Sequence, residues 1–254
     1  MNHRVLHKKQ KKFFLITEIL FSLIFIILMG FNPTSEKNEK GRLRISFKNT
    51  INGQPLVLRD SMYTTPLGEK YAVTKLRYYI SNISLAGNLP LEDVNNYQLI
   101  DANKSTSFTI PVKEGKYNKI KFLLGVDSIR NCSGAQEGVL DPMNDMFWTW
   151  NTGYVMFKLE GTSPSSEAPN NRIEHHVGGY RFGNNVAASV ELNFKEIKIK
   201  ENEEAEIIIE MDLDKYWSAN NIIKIAESPV CTLPGVLAKK IAGNFPKLFS
   251  IKNN

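Results

Sequence analysis

After residue 41, apolar and polar residues alternate along most of the chain with a period of two, the pattern of strands that bury one face. Leu43, Ile45 and Phe47 form the first such set and Leu56 and Leu58 a second, with Asn52-Gly53 between them as a tight-turn signal. Residues 71–85, YAVTKLRYYISNISL, carry Leu76, Tyr78, Ile80 and Ile83, which predicts one long strand or two joined by a bulge. Further strands are expected over 97–100, 107–110, 119–124, 153–159, 186–194 and 205–213. Helix is scarce: one or two turns over 214–219, and an amphipathic stretch over 235–242 behind Pro234. Residues 160–172, rich in Gly, Ser, Pro and Asn, read as a flexible loop. Some ten short strands, each needing a partner face, predict an all-β fold: a β-sandwich of antiparallel strands with few short helices.

The N-terminus follows a different pattern. Arg4, Lys8, Lys9, Lys11 and Lys12 precede an apolar run over 13–31 that only Glu18 interrupts. From residue 19 to 31 no charge occurs, a length that suits the apolar core of a signal peptide and falls short of the ~20 residues of a spanning helix. Residues 1–31 therefore read as a signal peptide or an N-terminal membrane anchor, 32–40 as a polar linker, and 41–254 as the folded domain. This places the domain outside the cytoplasm, in the periplasm or cell envelope.

Charge and cysteine change this picture little. The formal charge of +6 falls to +2 beyond residue 31, with 27 Lys and Arg against 25 Asp and Glu. The basicity belongs mostly to the export segment, so no basic face calls for nucleic acid. Cys132 and Cys231 are the two cysteines. In an exported chain they are expected to form one disulfide across a long loop; the alternative is two free buried thiols.

A phosphate-cradling glycine loop, a nucleophile elbow and a paired-histidine metalloprotease helix are all absent, so the chain reads as a binding module and not an enzyme. Beyond the export segment the histidines are His175 and His176, adjacent in sequence. Neighbours on a strand face opposite ways, so one metal receives one of them, and a three-histidine site within the chain is excluded. In the aromatic block after residue 146, Trp148 and Trp150 stand two apart and face the same way on an extended backbone, followed by Gly153 and Tyr154. Met146 and Met156 are either soft neighbours suited to reduced copper or packing residues. The oxygen-bearing Asp127, Asp141, Asn144 and Asp145 suit calcium in type, but they match no EF-hand spacing and read first as turn caps. Asp127 is also placed to hydrogen-bond the loop that carries Trp148.

Five stretches occur in order: YYISNISL at 78–85, FLLGVDS at 122–128, NCSGAQEGVLDP at 131–142, MFWTWNTGYVMFKLEG at 146–161 and HHVGGY at 175–180. In these the chain resembles the MbnP-like periplasmic proteins, a family related to copper-repressible surface copper proteins of methane oxidisers. The resemblance implies a mononuclear copper site on a β-sandwich. In it, one tryptophan is oxidised to kynurenine, whose amine and carbonyl act as ligands, and histidines complete the shell. Residue by residue, His176 matches the histidine of His-x-Gly-Gly and Trp148 the modified tryptophan. His175 stands where the family usually has an aromatic residue, and Trp150 where the copper proteins can have a histidine. Unmodified indole is only a donor, so the oxidation is what turns Trp148 into a ligand. The implied site is thus His176, Trp148 and His175, with Trp150, Met146, Asp127 and Tyr154 in support. The implied partner is a dihaem c-type cytochrome peroxidase that oxidises the tryptophan, since the chain has no Cys-x-x-Cys-His to hold haem itself; an outer-membrane transporter is a further one. The competing reading is a non-catalytic recognition or structural sandwich that binds glycan or protein through exposed aromatics.

Overall fold

The structure, a computed structural model, describes residues 40–86, 97–148 and 152–252. The export segment, the linker as far as residue 39 and Trp150 lie outside them. The strands are β1 (Lys40–Ile51), β2 (Gln54–Pro55), β3 (Tyr63–Thr64), β4 (Lys70–Leu85), β5 (Tyr97–Asp101), β6 (Ser107–Lys113), β7 (Gly115–Leu124), β8 (Val155–Thr162), β9 (Arg172–Gly178), β10 (Ala188–Ile199), β11 (Glu204–Asp212), β12 (Val230–Cys231) and β13 (Phe249–Ile251). The helices are short: α1 (Ser128–Cys132), α2 (Asp214–Trp217) and α3 (Val236–Ala242).

Asn52 and Gly53 both adopt positive φ, 51° and 69°, the combination a two-residue hairpin turn needs, and β2 folds back on the end of β1. The strand expected through Leu56 and Leu58 is shorter: β2 ends at Pro55, after which a single further hydrogen bond, from the Leu56 N–H to the Asn49 carbonyl at 2.9 Å, holds the chain to β1. β4 is the long strand expected, with register shifts at Val73/Lys75 and Ser81/Ser84 and a positive φ at Asn82. These are its bulges.

Two sheets form the sandwich. The smaller runs β13-β11-β1-β2, with β6 also on β1; the larger runs β10-β7-β4-β8-β9-β12, with β3 and β5 also on β4. Between them lies the main core, where Phe47 meets Tyr78 and Phe122 edge-on at ring separations of 5.9 and 6.1 Å. The sandwich is as expected, but its strands are not all antiparallel: β1 pairs with β11, and β12 with β9, in parallel. Parallel neighbours need a long crossover, and the chain between β1 and β11 supplies it by building most of the second sheet first.

Residues 126–148 and 152–154 lie over the outer face of the larger sheet and give it a second, smaller core of Tyr79, Tyr97, Val126, Leu140, Met146, Tyr154 and Val155. The expected flexible loop at 160–172 is shorter and tied down. Glu160 to Thr162 belong to β8 and Arg172 to β9, while the buried Ser163 and Ser166 hydroxyls donate to the carbonyls of Lys70 (2.6 Å) and Arg172 (2.7 Å).

The expected disulfide does not form: Cys132 and Cys231 are both free thiols. Cys231 faces the main core opposite His175, whereas Cys132 is exposed at the end of α1. Burial pushes the Cys231 thiol up to about 11. In the native protein a thiol reagent is expected to label Cys132 rapidly and Cys231 only on unfolding. Protection of both thiols, with faster gel mobility in the absence of reductant, would contradict this.

Candidate functional site

The aromatic block is positioned by turn chemistry. Asp127 caps α1, its Oδ1 accepting the Arg130 N–H at 3.1 Å, and its Oδ2 accepts the Tyr97 hydroxyl. Asp141 Oδ1 accepts the Met143 N–H at 2.8 Å, and the Asn144 amide donates to the carbonyls of Gly138 (2.9 Å) and Val139 (3.1 Å). The residues weighed for calcium are thus occupied as caps and pins. Tyr154 is fully buried: its hydroxyl donates to the Leu140 carbonyl at 2.7 Å, its N–H to Asn131 Oδ1 at 2.9 Å, and its ring meets Phe147 at 4.8 Å. Met146 is equally buried beneath it, and its carbonyl accepts the Val155 N–H at 2.9 Å. Both support the loop from within.

That loop closes where the Trp148 N–H donates to the Gly153 carbonyl at 3.1 Å. The half-buried indole of Trp148 then rests on Gly178 of β9, so closely that a Cβ at Gly178 would sit 2.9 Å from the six-membered ring. Along β9, Ile173, His175 and Val177 face the main core, while Glu174, His176 and Gly178 face outward. His176 and Gly178 are successive positions on one face, so the seat of Trp148 adjoins His176. The first glycine of the His-x-Gly-Gly stretch thereby has a packing reason: a Cβ there would meet the Tyr154 carbonyl at 2.6 Å as well as the indole, so its absence lets both approach β9 beside the histidine.

His175 points the other way and is 0% exposed. Its Nδ1 lies 2.7 Å from the Tyr216 hydroxyl and its Nε2 2.7 Å from the Ser228 carbonyl. A carbonyl only accepts, so Nε2 carries the proton and Tyr216 donates to Nδ1. Burial is the first cause that depresses this imidazole to about 4. Both nitrogens are spoken for within the core, and the alternation expected from the sequence separates His175 from His176.

Around His176 the outer face carries a network of charges in which strand register sets the neighbours on β4, β8 and β9. Lys75 of β4, Glu160 of β8 and Glu174 of β9 form one cross-strand row; Arg77, Lys158 and His176 form the next. His176 Nε2 is 2.8 Å from Glu160 Oε1, and Lys75 Nζ is 3.0 Å from Glu160 Oε2. Asp145 sits over both rows, its Oδ2 3.0 Å from Lys158 Nζ and 3.1 Å from Lys75 Nζ. The Lys158 ammonium also donates to the Asp145 carbonyl, and its side chain is 3% exposed. The hydrogen bond from His176 first, and that from Lys75 after it, hold the Glu160 carboxyl at about 2 against the opposing effect of partial burial. For Asp145 burial acts to raise the carboxyl, but the lysine contacts outweigh it and the net direction is down. Among the described residues no group of three or more His, Cys, Asp or Glu side chains is arranged to hold a metal.

The sequence brings out Trp148, His176 and, as a turn residue beside the aromatic block, Asp145, but not Glu160, Lys75 or Lys158 as their surroundings. The available signal was the polar half of the alternation, Lys75/Arg77, Lys158/Glu160 and Glu174/His176 at period two, which becomes a site only once the strands are registered.

The fold has a counterpart among solved structures. MbnP from Methylosinus trichosporium superposes with a TM-score of 0.50 at 15% sequence identity, over 76% of this chain and 83% of that one. At that identity the likeness is one of fold. No curated protein matches the chain. A family model described as MbnP matches residues 40–233, the sandwich from its first strand to just past β12, and the chain belongs to the MbnP family.

Proposed function

We propose that this domain binds copper outside the cytoplasm, at the outer face of β9, through His176 and an oxidised Trp148. The observation that carries the reading is the seat of the indole on Gly178, one outward-facing position from His176. The donor types fit: imidazole suits copper, and a kynurenine would add an aryl amine and a ketone oxygen. The Glu160 carboxylate on His176 Nε2 resembles the outer partner that a metal-bound imidazole usually has. Opening the indole to kynurenine cleaves the C2–C3 bond with insertion of two oxygen atoms, which two equivalents of hydrogen peroxide would supply at a dihaem c-type cytochrome peroxidase, and water then releases C2 as formate; an outer-membrane transporter is the second partner. Bound copper would be held for uptake, storage or transfer, so the domain is a binding protein and not an enzyme. Export by residues 1–31 puts it where such a partner works. The recognition alternative has less support, because Tyr154 is fully buried and Phe147 packs against the second core.

Co-expression with a dihaem peroxidase followed by peptide mass analysis and copper counting tests this. Expected are the mass change of kynurenine at the Trp148 peptide, copper retained through dialysis, and loss of both in Trp148→Phe. An unchanged Trp148 peptide with no retained copper sinks the reading; copper retained equally by Trp148→Phe removes the kynurenine from it.

A further inference from the structure

Strand register brings three segments out at the same end of the larger sheet. α1 lies just beyond Leu124, the last residue of β7, which pairs with Ala188 at the start of β10. Residues 179–187 connect the end of β9 to that same strand, and β12, parallel to β9, runs on past the Cys231–His175 pair into residues 232–236. The three meet: Ser128 Oγ is 3.3 Å from the Tyr180 carbonyl, and a Cβ at Gly179 would come 3.1 Å from Pro234 Cβ. Each raises apolar side chains into water, with Ile129 80% exposed, Phe182 105%, Leu233 71% and Val236 87%. An apolar residue exposed singly needs no explanation; four grouped at one end do.

The charge around them has one sign. Residues 128–136, 179–187 and 232–240 carry four basic residues and no acidic one, although the chain beyond residue 31 is close to neutral. Arg130 turns to Gln136 and the Tyr97 ring, and Arg181, Lys239 and Lys240 are exposed. Val236, Lys239 and Lys240 share the outward side of α3, whose Ala238, Ile241 and Ala242 are buried. Of the acids bordering α1, Asp127 is taken up by the Arg130 N–H and the Tyr97 hydroxyl, which leaves Glu137.

We propose that this end of the sandwich docks on an anionic phospholipid bilayer, its apolar tips entering the headgroup region while its basic side chains meet the lipid phosphates. The proposal stands independently of the copper reading. A bilayer suits the surface because each apolar side chain stands up from its own segment and none is sunk in a groove, so a fluid phase can close around every one. Positive charge without carboxylates is all that an anionic leaflet asks for. Gly178, the seat of Trp148, directly precedes this surface in the chain.

Cys132, exposed at the end of α1, offers a reporter position, whereas Cys231 is buried. Full-length protein labelled at Cys132 with a polarity-sensitive fluorophore is mixed with vesicles of phosphatidylcholine alone, or of phosphatidylcholine with phosphatidylglycerol. The emission is expected to shift to shorter wavelength with the anionic vesicles only, and to return in high salt. Phe182→Ser is expected to weaken the vesicle titration about tenfold or more, and Lys239→Ala with Lys240→Ala about 30-fold. Insertion of the N-terminal apolar segment alone would carry the protein onto vesicles of either composition and leave the fluorophore in water. That result overturns the proposal, as does a response from these variants equal to that of wild type. A shift that grows with protein concentration in the absence of vesicles overturns it too, and assigns the surface to a second copy of the chain.

Discussion

Asp145→Asn destabilises the protein by about 2 kcal/mol, and Asp145→Ala by about 3, although the Asp145 side chain is 59% exposed. The reason is its partner. Lys158 is 3% exposed, and an ammonium in that position loses its counter-charge when Asp145 is neutralised. Removing one member of a buried pair costs about 3–5 kcal/mol; the exposed carboxylate and Glu160 Oε1, 3.9 Å from Lys158 Nζ, bring the estimate to the lower end or below it. Alanine adds a backbone cost of about 1 kcal/mol, because residue 145 has φ 59°, a conformation asparagine tolerates and alanine does not. Surface pairs such as Lys119–Glu191, about half exposed at both ends, are by contrast worth at most about 1 kcal/mol. The measurement is urea unfolding of Asp145→Asn, Lys158→Met and the double variant. The double variant is expected to recover more than half of the loss, since methionine fills the lysine's place without a charge. An Asp145→Asn midpoint equal to wild type means that water and Glu160 already neutralise Lys158, and the clamp is not there.

This clamp also marks where the sequence stopped being informative. Strands with one buried and one polar face were legible because hydrophobic alternation is a local signal: Leu43, Ile45 and Phe47 in β1, and Leu76, Tyr78 and Ile80 in β4, face the core as their spacing requires. The long fourth strand and its bulge, and both helical turns near the C-terminus, were readable for the same reason. What alternation does not encode is a second layer over the polar face. Tyr79 and Val155 lie among outward-facing positions, yet they are buried because Val126, Leu140, Met146 and Tyr154 cover them. β9 was hidden for a related reason. Its inward position 175 is a histidine, which reads as polar in sequence but behaves as a core residue once Tyr216 and Ser228 satisfy both ring nitrogens. The disulfide failed on three-dimensional grounds that spacing does not carry, one thiol being turned into the core and the other out to water. Trp148 and His176 stood out as residue types. Their proximity depends on a β8–β9 register and on the room at Gly178, neither of which is visible in a string of letters.

The buried histidine makes the fold sensitive to mild acid. In the unfolded chain its imidazole takes up a proton around pH 6.5, whereas in the fold burial holds it neutral down to about 4. Between these values the unfolded state binds more protons than the native one, so stability falls as pH falls. The loss begins near 6.5, reaches about 2 kcal/mol by pH 5 and levels off at about 3 kcal/mol below 4. Burial outweighs the one group around the ring that favours a charge, the Ser228 carbonyl on Nε2; the Cys231 thiol opposite is neutral with its pKa raised, and any charge on His176 opposes a second one. Glu160 acts in the same direction but later. Its carboxyl is depressed to about 2, so the stability it contributes is present above its unfolded value near 4.5 and is lost only as pH drops below that. Unfolding free energies between pH 7.5 and 5 therefore isolate the histidine when wild type is compared with His175→Gln. The variant starts lower, having lost a fitted pair of hydrogen bonds, but its curve is expected to be flatter by about 2 kcal/mol over that range. Parallel curves for the two proteins would place the acid-sensitive group elsewhere and would mean that His175 accepts its proton in the core without cost.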